Sequence, residues 1–183
     1  MEMKRANPGP LGLAGFGMTT ILLNLHNAGY FPVSAVILAM GIFYGGISQV
    51  IAGIMEYKNG NTFGMLAFTS YGFFWISLVA TWVLPKLGMA DATPASFMGW
   101  YLAVWGIFSV FMTIGTLKSS KVLTFVFVTL DILFLLLAIR DWTGNELIGH
   151  IAGFEGIVCG AAALYLAMAE MIHEKLGTKL LPF

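Results

Sequence analysis

Long apolar runs, separated by short polar or glycine- and proline-containing joints, dominate this chain. Six runs, at about 11–25, 34–55, 62–84, 97–117, 122–139 and 147–172, approach or reach the roughly 17 to 25 residues needed to cross a bilayer, the first being the shortest. Strict apolar/polar alternation is absent, which removes an outer-membrane barrel and leaves helices. The pattern predicts an all-α integral membrane protein of six transmembrane helices. Lys4 and Arg5 precede the first run as they would a signal peptide, but no small-x-small cleavage site follows Leu25, so the run is read as a retained span. No Ser/Pro-rich linker, charge run or low-complexity tract interrupts the runs, which predicts one six-span domain over residues 1–183.

Charge orients this hairpin series. Counted over alternate joints, Lys4, Arg5, Lys58, Lys118, Lys121, Lys175 and Lys179 fall on one side and Lys86 and Arg140 on the other. Seven against two places both termini in the cytoplasm, since Lys and Arg are retained inside. Small residues at helical spacing predict where the spans touch, because close backbone approach drives association in lipid. Gly149, Gly153, Gly156, Gly160, Ala163 and Ala167 form one such stripe, Gly41, Gly45, Ser48 and Ala52 a second, and Gly99, Ala103 and Gly106 the start of a third. Some of these stripes are expected to join subunits.

Composition narrows the function. Apolar residues are 58% of the chain, charged residues only 10%, and the net charge is zero, against about 25% charged in a soluble domain. With no basic cluster, nucleic acid is excluded as a partner. No soluble portion is large enough for a separate catalytic domain. The one cysteine, Cys159, permits no intrachain disulfide, and it and His150 lack a further ligand at metal-binding spacing. No metal or cofactor is expected.

Ionisable residues within a span are costly and mark functional candidates. Asp131 and Glu155 lie at matching depths, about 14 Å and 12 Å from the outer ends of their spans by helical rise. Two readings stand: a proton site, or structural acids, each either neutral or a carboxylate hydrogen-bonded to hydroxyls on a neighbouring helix. No Lys or Arg lies inside any predicted span. Recognition of an anion would then fall to neutral donors: the hydroxyls of Thr19, Thr20, Thr69, Ser70 and Tyr71, the amides of Asn24 and Gln49, and free N–H groups at helix starts. His26 and Asn27 close the first span as a cap or as part of a vestibule, and Glu56 with Lys58 ends the second.

Asn7-Pro8-Gly9-Pro10-Leu11-Gly12-Leu13 carries two prolines and two glycines where the chain meets its first apolar run. Its prolines favour an extended lead-in ahead of the helix. The heptapeptide closely resembles the Asn-Pro-Ala-Pro-Leu-Gly-Leu motif of the acetate uptake transporter family, which includes the bacterial succinate-acetate permeases, with Gly9 in place of the usual alanine. The resemblance continues through Phe16-Gly17-Met18-Thr19-Thr20, Leu23-Asn24-Leu25-His26-Asn27, Glu56-Tyr57-Lys58, Asn61-Thr62-Phe63-Gly64, Thr69-Ser70-Tyr71-Gly72 and Phe74-Trp75. It implies a ring-shaped homo-oligomer, a hexamer in this family, with a pathway inside each protomer. It implies a narrow apolar constriction at Phe16, Tyr71 and Leu130, with Ala163 a small position facing the pathway, and Asn7, Pro8, Pro10, Leu11, Gly12 and Leu13 as the family motif. Tyr71 and Leu130 each fall about nine residues, or ~14 Å, from the predicted inner ends of their spans, while Phe16 counts only ~8 Å from Leu11. The implied function is transport of acetate, and of succinate, across the cytoplasmic membrane, by conduction or coupled to protons.

Three other classes are weighed against it. A channel for another small solute, such as formate or ammonia, would share the same pore features. A membrane scaffold would use the small-residue stripes alone. An intramembrane enzyme would need Asp131 and Glu155 as its acid pair, and they sit in no matching protease motif, so the chain is read as no enzyme.

Overall fold

A computed structural model describes residues 5–183, so Lys4 of the charge count lies outside the described residues. The described chain is helical, with α1 over Gly9–Asn27, α2 over Ala35–Lys58, α3 over Thr62–Lys86, α4 over Ala95–Thr116, α5 over Lys121–Thr143 and α6 over Glu146–Leu176. α2 to α6 are each long and apolar enough to cross a membrane. α1, at 19 residues, spans about 28 Å and carries glycines, threonines and Asn24 instead of a continuous apolar surface. Its composition follows from its place: α1 packs on α6, α2 and α3 and buries residues on several faces, so little of it has to satisfy lipid.

The helix starts and stops are set by local chemistry. α1 begins at Gly9, two residues ahead of the predicted span, and Pro8 is in the right-handed helical region, not extended. Pro10 then sits in the first turn, where its missing N–H has no intrahelical acceptor to lose. Asn7 Oδ1 accepts from Gly9 N at 2.9 Å and the Pro8 carbonyl accepts from Leu11 N and Gly12 N, so the motif is a capped helix start. Asn7→Ala is expected to cost about 1 kcal/mol, read as a lower melting midpoint in detergent, with Asn7→Ser recovering part of it. Asn61, Ser120 and Asn145 side chains cap α3, α5 and α6. Gly144 and Gly177, at φ of 67° and 69°, end α5 and α6 in the left-handed conformation that glycine tolerates best.

Within α2, residues Met40–Ser48 form a π-helical stretch, the wide-turned form that recurs at functional sites. Side chains bind its carbonyls: Gln49 Nε2 donates to Gly45 O at 2.6 Å, Ser48 Oγ to Tyr44 O, and Thr19 Oγ1 of α1 to Met40 O at 3.4 Å.

Two kinds of seam hold the bundle. Where small residues face each other the helices close to backbone contact: a Cβ on Gly17 of α1 would lie 2.7 Å from both Gly160 O and Leu164 N of α6. The predicted α6 stripe, Gly149 through Ala167, is buried in full. Between α3 and α4 the spacing is wider and rings fill it. Phe74 stacks on Tyr101 at 5.9 Å and meets Trp105 edge-on at 5.2 Å, while Tyr71 packs on Phe108 at 5.6 Å. The outward face of α4 presents Phe97, Trp100, Val104, Ile107 and Phe111, all more than 60% exposed, as an apolar surface should in hydrocarbon.

Candidate functional site

Two cavities enter the bundle from opposite ends and meet at the same side chains. The first, about 210 Å³, opens at the end bearing both termini, here called inner, and is walled by Asn7, Gln49, Glu56, Asn61 and Glu170. The second, about 590 Å³, opens at the outer end and includes Thr20, Asn24, Trp75, Lys86 and Arg140 in its wall. Phe16 and Leu130 line both cavities, and Tyr71 lines the inner one. An apolar septum of Phe16 and Leu130 therefore separates two aqueous-sized spaces.

The rings come together because each helix supplies one wall. Phe16, on α1, lies 6.2 Å centroid to centroid from Tyr71 on α3. Tyr71 is held by Phe108 and Trp105 of α4 and by Phe127 of α5, and its hydroxyl donates to Ser109 Oγ at 3.1 Å. The earlier start of α1 adds about 3 Å to the depth counted for Phe16, which reduces the mismatch seen from sequence. All three side chains are at least 93% buried.

The remaining candidates separate. Thr20 and Asn24 line the outer cavity and Gln49 the inner one. Thr19, Thr69, Ser70 and Ala163 line neither of these two cavities. Thr19 faces Gly45 and the Met40 carbonyl of α2, and a Cβ on Gly53 of α2 would collide with Thr69, which puts Thr69 in the α2–α3 seam. The run Thr69-Ser70-Tyr71 is thus divided by its helix: consecutive residues point about 100° apart, so one face cannot hold all three. Of the motif, Asn7 and Leu13 reach the inner cavity, as does Gly9. Asn27 lines the outer cavity, while His26 Nδ1 lies 2.8 Å from Phe31 O and closes the loop after α1.

The intramembrane acids lie off the two cavities. Asp131 Oδ2 accepts from Thr113 Oγ1 of α4 at 2.7 Å, whereas both oxygens of Glu155 are buried without a hydrogen-bond partner. Thr113→Val is expected to cost about 1 kcal/mol, the usual net worth of a hydrogen bond, read as a lower melting midpoint.

Sequence reasoning passed over three wall residues. Glu56, read as a span terminus, is buried at the inner cavity with Asn61 Nδ2 donating to Oε2 at 3.0 Å. Glu170 accepts from Asn7 Nδ2 at 3.4 Å across the same cavity. Trp75 lines the outer cavity. An acid within a turn or two of an apolar helix's inner end was the available signal for Glu56 and Glu170; Trp75 gave none.

The outer cavity holds Lys86 and Arg140, with Arg140 Nε 3.0 Å from Asp141 Oδ1, whereas Glu56 and Glu170 are the charged residues of the inner wall. Among the described residues, cationic side chains line only the outer of the two cavities.

Comparison with known proteins gives the same architecture a lineage. The GPR1/FUN34/yaaH family model matches residues 1–179. The chain is 61% identical over 179 residues to the succinate-acetate/proton symporter SatP of Escherichia coli (strain K12), covering 98% of this chain and 95% of that protein. It is 35% identical over 196 residues to acetate permease A of Emericella nidulans, covering 98% of this chain and 66% of that protein. A solved structure of the bacterial acetate channel SatP superposes with a TM-score of 0.97 at 60% identity, covering 98% of this chain and 99% of that one. Matched from end to end in sequence and in fold, the chain belongs to the GPR1/FUN34/yaaH family.

Proposed function

We propose that this protein carries acetate, and succinate less readily, across the cytoplasmic membrane along a pathway inside each protomer. The observation that carries this reading is the pair of cavities meeting at a septum of Phe16 and Leu130, beside Tyr71. A small carboxylate has room in both cavities. Flux is then set by a short dry passage, where an apolar ring admits a narrow solute and resists a wide one. The carboxylate cargo is supported by the names of the relatives: a succinate-acetate symporter, an acetate permease and an acetate channel.

The six spans form one unit with both termini inside, in keeping with seven against two Lys and Arg. Protomers assemble as a ring-shaped homo-oligomer, a hexamer by family resemblance, with the apolar outer face of α4 turned to lipid or to a neighbour. Cross-linking in mild detergent should yield a ladder above the monomer.

Labelled acetate uptake into liposomes holding the purified protein tests the reading. Uptake should exceed that of empty vesicles, with acetate the preferred competitor among acetate, formate, lactate and succinate; uptake equal to empty vesicles would leave a scaffold. Repeating the assay with and without a proton gradient at fixed acetate gradient separates conduction from symport.

A further inference from the structure

The septum is held from behind by a helix that does not form it. α4 gives Ala95, Met98 and Leu102 to the outer cavity and nothing to the inner one, and no α4 residue beyond Leu102 lines either. Yet two α4 hydroxyls bond across to the constriction. The Tyr71 hydroxyl donates to Ser109 Oγ at 3.1 Å, and Thr113 Oγ1 donates at 2.7 Å to Oδ2 of Asp131, the residue after Leu130. Other side-chain hydrogen bonds of α4 lie nearer its ends, as between the Tyr101 and Ser77 hydroxyls and from Trp142 Nε1 to Ser96 O.

A hydroxyl in a membrane helix is usually satisfied by its own preceding turn, as those of Thr81, Thr116 and Thr129 are, at 2.7 to 2.9 Å. Thr113 has that option too, since Oγ1 also lies 3.0 Å from Ser109 O. Its burial therefore does not require Asp131. The two residues are four apart, so they share one face of α4, and that face carries one tie to each of two constriction positions.

Each tie fixes a different freedom. Phe108, Trp105 and Phe127 surround the Tyr71 ring, and the bond to Ser109 fixes its reach toward α4, hence its standing relative to Phe16, 6.2 Å away. Consecutive helical residues point about 100° apart, so anchoring Asp131 to α4 fixes the rotation of α5 and with it the direction of Leu130.

We propose that Ser109 and Thr113 are positioning residues: by holding Tyr71 and Asp131 they set the width of the apolar constriction, and so the size of carboxylate that passes. This assignment rests on the carboxylate-transport reading above. Neither residue touches the solute; both act through the side chains they hold.

Lactate and acetate uptake into liposomes, each normalised to folded full-length protein, tests it. Ser109→Ala and Thr113→Val should each raise the lactate to acetate ratio about fivefold, as a fraction of a methylene in aperture would. Thr113→Ser, which keeps the hydroxyl, should return the ratio to wild type. Tyr71→Phe removes the same bond as Ser109→Ala, so the double variant should show the effect of one alone. Ser77→Ala is the control: it breaks a hydroxyl pair in the α3–α4 seam about 9 Å further out, lines neither cavity, and should leave the ratio unchanged. A purely structural loss would lower both uptakes together and leave every ratio at the wild-type value. If Ser109→Ala does not fold, Tyr71→Phe and the Thr113 pair decide. A wild-type ratio in folded Ser109→Ala or Thr113→Val overturns the proposal, as does a double variant whose ratio is the product of the two single effects. Either result with wild-type uptake intact removes the α4 ties and spares the transport reading; wild-type uptake no faster than empty vesicles removes both.

Discussion

Leu130→Ala should raise lactate uptake relative to acetate about tenfold, the discrimination worth roughly one methylene group in an apolar slot. Leu130 is one of two side chains lining both cavities, so its branched end is part of the narrowest wall. Shortening it widens the dry passage without adding a polar group, and the solute that gains most is one slightly wider than acetate. The removed packing costs about 2 to 5 kcal/mol, because the side chain is 4% exposed and its cavity is left unfilled. Uptake has to be normalised to protein that still elutes as a single species. Ile132→Ala is the control: Ile132 is 43% exposed on the lipid side of the same helix and lines neither cavity, so its uptake ratio should match wild type. An unchanged lactate to acetate ratio in folded Leu130→Ala would remove Leu130 from the septum.

The contrast between Leu130 and Thr69 explains which parts of the site were legible in the sequence. Helix existence follows from run length and apolarity, and the bounds of α2 to α6 differ from the predicted edges by a few residues at most. Facing is another matter. In water an apolar stripe tells which side of a helix is inside, but a membrane helix is apolar all round and its pattern carries no such sign. Thr69 and Ser70 were singled out by residue type, yet the rotation of α3 turns Thr69 toward Gly53 and leaves Tyr71 at the cavity. Resemblance supplied what periodicity could not, namely that Phe16, Tyr71 and Leu130 belong together. Trp75 was unreadable for the same reason: its place in the outer wall is a property of the assembled bundle.

α1 was the weakest span in the sequence and is the most enclosed helix of the fold, and both facts have one cause. A helix surrounded by protein has no need of a continuous apolar surface, so it can carry Thr19, Thr20 and Asn24 and the glycines that let α6 approach. The small stripe on α6 was legible because glycine spacing survives the loss of polarity as a guide. Its partner stripe on α1, shorter and mixed with polar residues, was not recognised as one.

Gly17→Val is expected to be the most damaging single change in the bundle. The Cβ of any residue at position 17 would stand 2.7 Å from Gly160 O and 2.7 Å from Leu164 N, and these are backbone atoms in the middle of a 31-residue helix. A flexible side chain could swing aside, but a helix backbone moves only as a unit. Relief therefore requires α1 and α6 to separate, opening the seam from Gly153 to Ala167 and shifting Phe16, the neighbouring residue, out of the septum. Overpacking of this kind costs typically 1 to 3 kcal/mol, and a branched side chain against backbone on two sides belongs at or above the upper end. The expected result is a strongly lowered melting midpoint and, in whatever folded fraction remains, altered acetate uptake. Gly60→Ala, at a turn where a Cβ meets nothing within 4 Å but φ is 74°, should cost only about 1 kcal/mol of backbone strain and leave uptake intact. Should Gly17→Val melt no lower than Gly60→Ala, the α1–α6 seam would not be the close backbone contact described here.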